Sequence, residues 1–134
     1  MKILGRFPST RLRRVRNSNW IRRLISENNL SSNDLILPVF LIEGKNKVEK
    51  IHNMPGIYRY TIDNLSKILD ETSRYKIPMV ALFPCTPNKK KDENGIEALN
   101  ENNLICKAIK FIKKKYKSFG VMTDVALDPY TSHG

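Results

Sequence analysis

Three short apolar runs, separated by two helical patterns, decide what this chain can fold into. The runs are residues 35–42, residues 80–83 and a segment that begins at Val121. Runs of this length, rich in β-branched and aromatic residues, are typical of buried strands. Two successive strands that are connected by a helix pair in parallel, because the helix returns the chain to the end of the sheet where the first strand began. The sequence therefore predicts an α/β fold with a parallel sheet.

The two helical patterns cover residues 61–76 and 102–117. Apolar residues recur every three or four positions in both, which places them on one face of a helix. These residues are Ile62, Leu65, Ile68 and Leu69 in the first pattern and Leu104, Ile105, Ala108, Ile109, Ile112 and Tyr116 in the second. Three strand-helix units of about 40 residues extrapolate to a barrel of eight in a chain more than twice as long. We therefore expect the first part of a (β/α)8 TIM barrel.

Two prolines set limits on the predicted strands. Pro38 cannot donate to a ladder, so we expect the pairing of the first strand to be interrupted there. Pro84 is expected to end the second strand, and residues 88–101 are expected to form a polar loop. Between the first strand and the first helix we expect a charged loop and a compact irregular segment around a Pro-Gly turn, in which His52 is a surface residue.

The first 30 residues differ from the rest of the chain. Residues 1–16 are basic and show no sustained period, which predicts an extended arm. A short amphipathic helix follows, beginning at Asn17 or Ser18 and ending near residues 28–29. We therefore divide the chain into an arm with a short helix (1–30) and the first three units of an incomplete barrel (31–134).

Two aspartates mark the end of the third predicted strand. Side chains alternate along a strand, so Asp124, Ala126 and Asp128 are expected to share one face, opposite Val125 and Leu127. Ligand sites of α/β proteins gather at the carboxyl ends of parallel strands, which makes Asp124 and Asp128 candidate active-site residues. The alternative for Asp128 is that it only caps the turn that Pro129 begins.

Five blocks of sequence follow one another in order and cover nearly the whole chain. They are RLRRVR at 11–16, DLILPVF at 34–40 with EG at 43–44, MPGI at 54–57 with Arg59, ALFP at 81–84, and TDVALDPYTSHG at 123–134. Together they resemble the porphobilinogen synthase family, also called 5-aminolaevulinate dehydratase. The terminal block is the longest and the most specific of the five. The resemblance implies a TIM barrel with a long N-terminal arm that embraces a neighbouring subunit, usually in a homo-octamer.

The resemblance also implies a reaction. The family condenses two molecules of 5-aminolaevulinate, with loss of water, to porphobilinogen for haem and other tetrapyrroles. Two lysines on later strands form Schiff bases with the substrates, and both are expected beyond Gly134. Asp124 is then expected to contact the substrate amine or its water network. Arg11, Arg13, Arg14 and Arg16 are expected at the subunit interface, where guanidinium groups suit bidentate pairing.

Zinc-dependent members of the family have cysteines where this chain has Ala126 and Asp128. Thiolates select zinc, whereas a methyl group and a carboxylate do not. The resemblance therefore places this chain in the aspartate-rich branch, which is associated with magnesium or monovalent ions. Asp128 would occupy the former ligand position. We expect Mg²⁺ in preference to zinc at this site.

The net charge of +11 raises the alternative of a polyanionic partner. The lysines of 89–117 mostly have helix-exposed spacing, and the chain offers no interleaved aromatic residues or recognition helix. We therefore expect a solvated basic surface and no nucleic-acid binding. Lys89, Lys90 and Lys91 follow the second strand; they are either a solvated run of charge or a group that attracts the substrate carboxylate.

The two cysteines, Cys85 and Cys106, have no neighbours at the spacing of a zinc site. Free thiols in a reducing cytoplasm are the expected state, and no apolar run approaches the length that spans a bilayer. The chain also lacks the apolar stretch of a secretory signal, so we expect a cytoplasmic protein without a membrane segment.

Two hypotheses for the function stay open at this point. In the first, the chain is the N-terminal portion of a porphobilinogen synthase. In the second, the 134-residue product is a catalytically inactive remnant, or an assembly partner of a full-length subunit. Because three strands of an eight-stranded barrel leave a strand edge and apolar surface exposed, we expect the chain alone to be poorly soluble or molten.

Overall fold

The computed structural model describes residues 5–11 and 13–134. Residues 1–4 and 12, which the sequence assigns to the arm, lie outside the described residues. The chain forms two compact units, Met1–Leu30 and Ser31–Gly134.

The first unit contains a 3-10 helix, Arg14–Arg16, and helix α1, Asn19–Leu24. The segment that was predicted to be an extended arm contains a turn, in which the amide of Thr10 donates to the carbonyl of Arg6 at 2.9 Å. Helix α1 is also shorter than predicted, since the backbone leaves the helical region at Ile25. Its apolar side chains Trp20 and Leu24 are 62% and 75% exposed. The helix therefore has an amphipathic pattern whose apolar stripe is largely accessible.

The second unit is built on a five-stranded sheet in the order β2-β3-β1-β4-β5. The strands are β1, Ile36–Ile42; β2, Val48–Lys50; β3, Tyr58–Tyr60; β4, Met79–Cys85; and β5, Gly120–Thr123. β1 pairs in parallel with β4, and β4 pairs in parallel with β5. The parallel core of the sheet is therefore the one that the three apolar runs predict.

The two prolines do not interrupt the strands. β1 runs through Pro38, which lies in register with Ala81, and β4 runs through Pro84 to Cys85. β3 reaches β1 only at Phe40 and Leu41, and the pairing of β5 with β4 stops at Leu82. Each proline thus lies where its strand has a strand neighbour on one side alone. Backbone N–H groups alternate between the two sides of a strand, so such a position accommodates a residue without a donor.

The sequence interpretation missed the antiparallel pair β2 and β3. Glu49 lies opposite Arg59 in this pair, and their side chains form an ion pair of 2.8 Å. β3 also pairs in parallel with β1 at Phe40 and Leu41. Both strands have three residues, and the segment between them was expected to be irregular. Strands this short carry no periodic signal, and their pairing partners supply the order.

Helices α2, Leu65–Arg74, and α3, Leu104–Lys115, pack on one face of the sheet. Asn103 caps α3, because its side-chain oxygen accepts a hydrogen bond of 2.8 Å from the amide of Cys106. The buried core consists of Val39, Leu41, Leu65, Leu69, Val80, Leu82, Ile105, Ala108, Ile112 and Phe119. The apolar stripes predicted for both helices supply half of these residues.

Neither α2 nor α3 packs on the other face of the sheet. Ile36, Phe83 and Met122 are 45%, 37% and 45% exposed, and they alternate with the core residues along their strands. Phe40 lies beside Phe83 on this face, with ring centroids 5.6 Å apart. We call this surface the inner face. In a closed barrel it is the face that turns toward the axis.

The described residues contain no helix that is both long enough and apolar enough to cross a membrane.

Candidate active site

Three parallel strands end at one edge of the sheet. Glu43 follows β1, the loop that contains Lys90 follows β4, and Asp124 follows β5. The parallel pairing of β1, β4 and β5 brings these positions to the same edge. This is the carboxyl edge, where α/β proteins bind ligands.

Asp124 is the first residue after β5. The register pairs Leu82 with Thr123, so Asp124 continues the inner-face row that contains Met122. A shallow cleft of about 220 Å³ lies beside it, lined by Ala81, Leu82, Phe83, Met122, Thr123 and Asp124. The Oδ1 atom of Asp124 accepts a hydrogen bond of 3.1 Å from the amide of Ala126. Within the part of the chain that the structure describes, its second carboxylate oxygen has no protein donor.

The strand that was expected to carry both aspartates ends at Thr123, five residues before Asp128. β5 stops at Thr123, and Asp128 lies in a turn in which the amide of Tyr130 donates to the carbonyl of Leu127 at 2.8 Å. The hydrogen bond from Ala126 to Asp124 turns the backbone out of the ladder, which is how an aspartate ends a strand. Asp124 and Asp128 are therefore both exposed residues near the carboxyl edge, but they do not share one strand face.

Lys90 is held by two carboxylates. Its Nζ atom lies 2.5 Å from Oε1 of Glu43 and 3.3 Å from Oε1 of Glu97. The hydrogen bond to Glu43 is the main cause that raises the pKa of Lys90, and Glu97 adds to it. Of the three consecutive lysines, Lys90 is therefore a paired charge, and only Lys89 is an exposed one. The sequence did not indicate this network, since Glu43 and Lys90 are 47 residues apart.

The loop that contains Lys90 also contacts the segment after Asp128. Asp92 and Thr131 form an isolated parallel bridge, in which the amide of Asp92 donates to the carbonyl of Tyr130 at 3.3 Å. The amide of Ser132 donates in turn to the carbonyl of Asp92 at 3.0 Å. Thr131 is buried, and burial raises the pKa of Tyr130, with Cys106 and Glu97 nearby. The last residues are thus attached to the rest of the sheet unit.

The arm arginines lie in the first unit, where Arg11, Arg13, Arg14 and Arg16 are all exposed. The guanidinium of Arg11 stacks over the ring of Phe7, 5.6 Å from its centroid. Arg14 and Arg16 belong to the short 3-10 helix. Their assignment to a subunit interface stays a prediction.

The donor set at the expected metal position consists of carboxylates. Ala126 has no donor atom beyond its backbone, and the two carboxylates nearest to it in the sequence belong to Asp124 and Asp128. Among residues 5–11 and 13–134, no three His, Cys, Asp or Glu side chains come together as a metal site. Cys85 and Cys106 are free thiols. Carboxylate oxygens suit hard cations such as Mg²⁺ and do not reproduce a thiolate site for zinc.

The sequence of this chain matches known proteins over nearly its whole length. The family model of delta-aminolevulinic acid dehydratase matches residues 9–134. The delta-aminolevulinic acid dehydratase of Bradyrhizobium diazoefficiens is 48% identical over 124 residues, which cover 92% of this chain and 35% of that protein. The enzyme of the same name from Chlamydia pneumoniae is 40% identical over 126 residues, covering 94% of this chain and 38% of that protein.

A solved structure agrees with these matches. It is the delta-aminolevulinic acid dehydratase (porphobilinogen synthase) of Toxoplasma gondii, in complex with its reaction product porphobilinogen. The TM-score is 0.83 at 32% sequence identity, over 92% of this chain and 35% of that one. The fold described above is accordingly the first part of a (β/α)8 barrel, and the chain spans about a third of the length of these relatives. The chain belongs to the delta-aminolevulinic acid dehydratase family.

Proposed function

We propose that this chain is the N-terminal portion of a porphobilinogen synthase, which condenses two molecules of 5-aminolaevulinate to porphobilinogen with loss of water. The observation that carries the proposal is the family match over residues 9–134, which includes the segment that follows β5. The two lysines that form Schiff bases in the family are expected beyond Gly134. The part of the reaction that belongs to this chain is therefore substrate binding at the carboxyl edge.

Asp124 is the residue to which we assign that role. It stands at the end of β5 beside a shallow cleft, and one of its oxygens is engaged by the amide of Ala126. That hydrogen bond fixes the direction of the carboxylate without neutralising its charge. A fixed carboxylate can accept a charge-assisted hydrogen bond from a substrate ammonium group or from a water that contacts it. Asp128, which is exposed in the following turn, is the second residue of the proposed site.

The test of this function is an assay for porphobilinogen formation from 5-aminolaevulinate by the native protein, purified from its source, together with its mass. Asp124→Asn keeps the shape of the side chain and removes its charge. We expect it to lower kcat/KM about 10- to 100-fold, since a hydrogen bond to a charged group contributes roughly 1.5–3 kcal/mol. Glu71→Gln is the matched control, because Glu71 is an exposed carboxylate in the last turn of α2, which leads to the opposite, amino end of β4. Activity that survives Asp124→Asn unchanged would contradict the assignment.

A second candidate function rests on the exposed apolar surface of the chain. A mass of 15.5 kDa without activity would mean that the product is an inactive remnant, or an assembly partner that contributes its arm to a full-length subunit. The exposed inner face and the exposed apolar residues of α1 favour association with another chain. A mass of about three times that value, with activity, would support the enzyme.

The ion, the assembly and the compartment are further parts of the proposal. We infer that Asp128 would contribute a ligand to Mg²⁺ or a monovalent cation in place of zinc, and that such an ion would help to orient the substrate. Elemental analysis of the active protein should then find no stoichiometric zinc. We further infer from the family resemblance a homo-octamer in which the arm contacts a neighbouring subunit, and Arg11, Arg13, Arg14 and Arg16 are exposed and therefore accessible for such a contact. The free thiols support a cytoplasmic location.

A further inference from the structure

The loop between β4 and α3 connects two parts of the carboxyl edge that are distant in the sequence. We call its residues 88–99 the bridging loop. On one side Lys90 joins it to Glu43, which directly follows β1. Glu97, within the same loop, supplies the second carboxylate for Lys90 at 3.3 Å. The bridging loop is therefore attached to the end of β1 through one ammonium group.

On its other side the bridging loop holds the segment that follows Asp128. Asp92 makes two backbone hydrogen bonds across the bridge, one to the carbonyl of Tyr130 and one from the amide of Ser132. The carboxylate of Asp92 is used elsewhere, since it accepts hydrogen bonds from the amides of Asn94 at 2.8 Å and Ile96 at 3.2 Å. These bonds fix the turn before the 3-10 helix Ile96–Leu99. The backbone of Asp92 is thus rigid where it meets residues 130–132.

Close packing accompanies the hydrogen bonds. Gly95 is buried with a left-handed backbone, φ +64°, and a side chain there would meet Cγ2 of Thr131 at 3.3 Å and Cβ of Tyr130 at 3.7 Å. Thr131 is 7% exposed. Residues 130–131 therefore lie directly on the turn that the Asp92 carboxylate organises.

These contacts form one route from β1 to the proposed site. It runs from Glu43 through Lys90 to the bridging loop, and from Asp92 to residues 130–132, which lie just beyond Asp128. The other end of the segment is anchored by β5 at Thr123. Residues 124–129 are therefore a short loop that is held at both ends, and its conformation depends on both anchors.

We propose that Lys90 is a positioning residue for this loop. By pairing with Glu43 it holds the bridging loop against the end of β1, and the bridging loop in turn holds residues 130–132 and thereby Asp124 and Asp128 in their working positions. The proposal rests on the proposed function for its catalytic consequence, but its structural part stands on the contacts alone. It also differs from the expectation that this lysine attracts the substrate carboxylate, because both of its carboxylate partners belong to the protein.

The test uses the native protein and three variants. Lys90→Met removes the charge and keeps most of the aliphatic stem, Lys90→Arg restores a cation, and Lys114→Met removes an exposed lysine of α3 as a matched control. Hydrogen exchange is measured at the amides of Asp92 and Ser132, which report the bridge directly. Turnover of 5-aminolaevulinate is measured in parallel, with kcat and KM separated.

We expect Lys90→Met to speed exchange at both amides about fivefold or more, in line with the loss of a partly buried ion pair. We also expect a lower kcat, with Lys90→Arg restoring most of both properties and Lys114→Met changing neither. Unchanged hydrogen exchange in Lys90→Met would overturn the proposal. If exchange is unchanged and KM alone rises, Lys90 would instead be assigned to substrate binding. If Asp124→Asn leaves turnover unchanged, the proposed function of that residue fails, while the exchange measurement still decides whether Lys90 holds the loop.

Discussion

Asp34 accepts two hydrogen bonds from a single serine at the entrance to β1. The amide of Ser31 donates to its Oδ2 atom at 2.8 Å and the hydroxyl of Ser31 at 2.9 Å. Together with the hydrogen bond of 3.2 Å from the amide of Asn33 to the Ser31 hydroxyl, this is a reciprocal capping box around the 3-10 helix Ser32–Asp34. The backbone bond and the hydroxyl bond both lower the pKa of Asp34.

We therefore predict that the Asp34 carboxyl titrates below its usual value of about 3.9. Because the folded pKa is the lower one, the capping box contributes stability above the unfolded pKa, and that contribution is lost as the pH falls through the folded pKa. Ser31→Ala removes the hydroxyl donor but keeps the backbone donor. It should therefore raise the pKa of Asp34 part of the way toward its usual value, which NMR of the carboxyl carbon can follow as a function of pH. Ser32→Ala is the control, and an equal shift in both variants would contradict the assignment.

Gly95 is the residue at which the backbone itself limits substitution. Gly95→Ala places an L side chain at φ +64°, which costs roughly 1–2 kcal/mol, and adds a contact with Thr131. We predict that it speeds hydrogen exchange at the Ser132 amide of the native protein about 5- to 30-fold. Gly56→Ala has similar backbone strain at φ +81°, but it meets no atom within 4 Å, so it should leave Ser132 unchanged. Equal effects of the two variants would show that Gly95 does not act on the terminal segment.

Among the elements, β5 has two faces with different surroundings. Val121 packs against the buried core, while its neighbour Met122 is 45% exposed on the inner face. β5 is also an edge strand, with β4 as its partner on one side. Edge strands with apolar exposed side chains are sites of association between chains, and lysine on such a strand opposes that association.

We predict that Met122→Lys increases the soluble fraction of the 134-residue chain expressed alone, because it places a charge on the exposed inner face at the edge. Val121→Lys, one residue away, should reduce it, since the same charge would then be buried against the helices. Centrifugation followed by size-exclusion chromatography measures both. Similar behaviour of the two variants would mean that the face of β5 does not control solubility.

The sequence predicted the elements that have long periodic patterns and missed those that depend on partners distant in the chain. The strands β1, β4 and β5 and the helices α2 and α3 were found because each repeats an apolar signal over several residues. β2 and β3 were missed, since three residues such as Tyr58–Tyr60 carry no such signal. Pro38 and Pro84 were taken as breaks because their tolerance depends on how far a neighbouring strand extends.

The positions of the candidate site residues were predicted in part for the same reason. Asp124 follows an apolar run and lies at the end of β5, but the length of β5 was overestimated, because a hydrogen bond from Ala126 to Asp124 competes with the ladder. The role of Asp124 stays a prediction. The pairing of Lys90 with Glu43 could not be foreseen from a lysine run. Such pairs arise from the parallel register, which brings residues 47 positions apart to one edge.

At the scale of the whole molecule, the sheet unit buries one face and leaves the inner face exposed. Ile36, Phe83 and Met122 lie there without a covering element among the described residues. We predict that the 134-residue chain alone, if it is soluble, binds the dye ANS and melts broadly, because apolar surface of this kind is associated with loosely packed states. A monodisperse monomer with a sharp cooperative melt would contradict this prediction.

The exposed inner face has a consequence for how a protein of this family is made. In a relative such as the Bradyrhizobium enzyme, the residues that match this chain are 35% of the length. At a synthesis rate of ~5–20 residues per second, the inner face stays exposed for on the order of tens of seconds before the strands that close the barrel are made. We predict that chaperones bind this surface of such a relative during translation, for as long as the remaining strands have not been made.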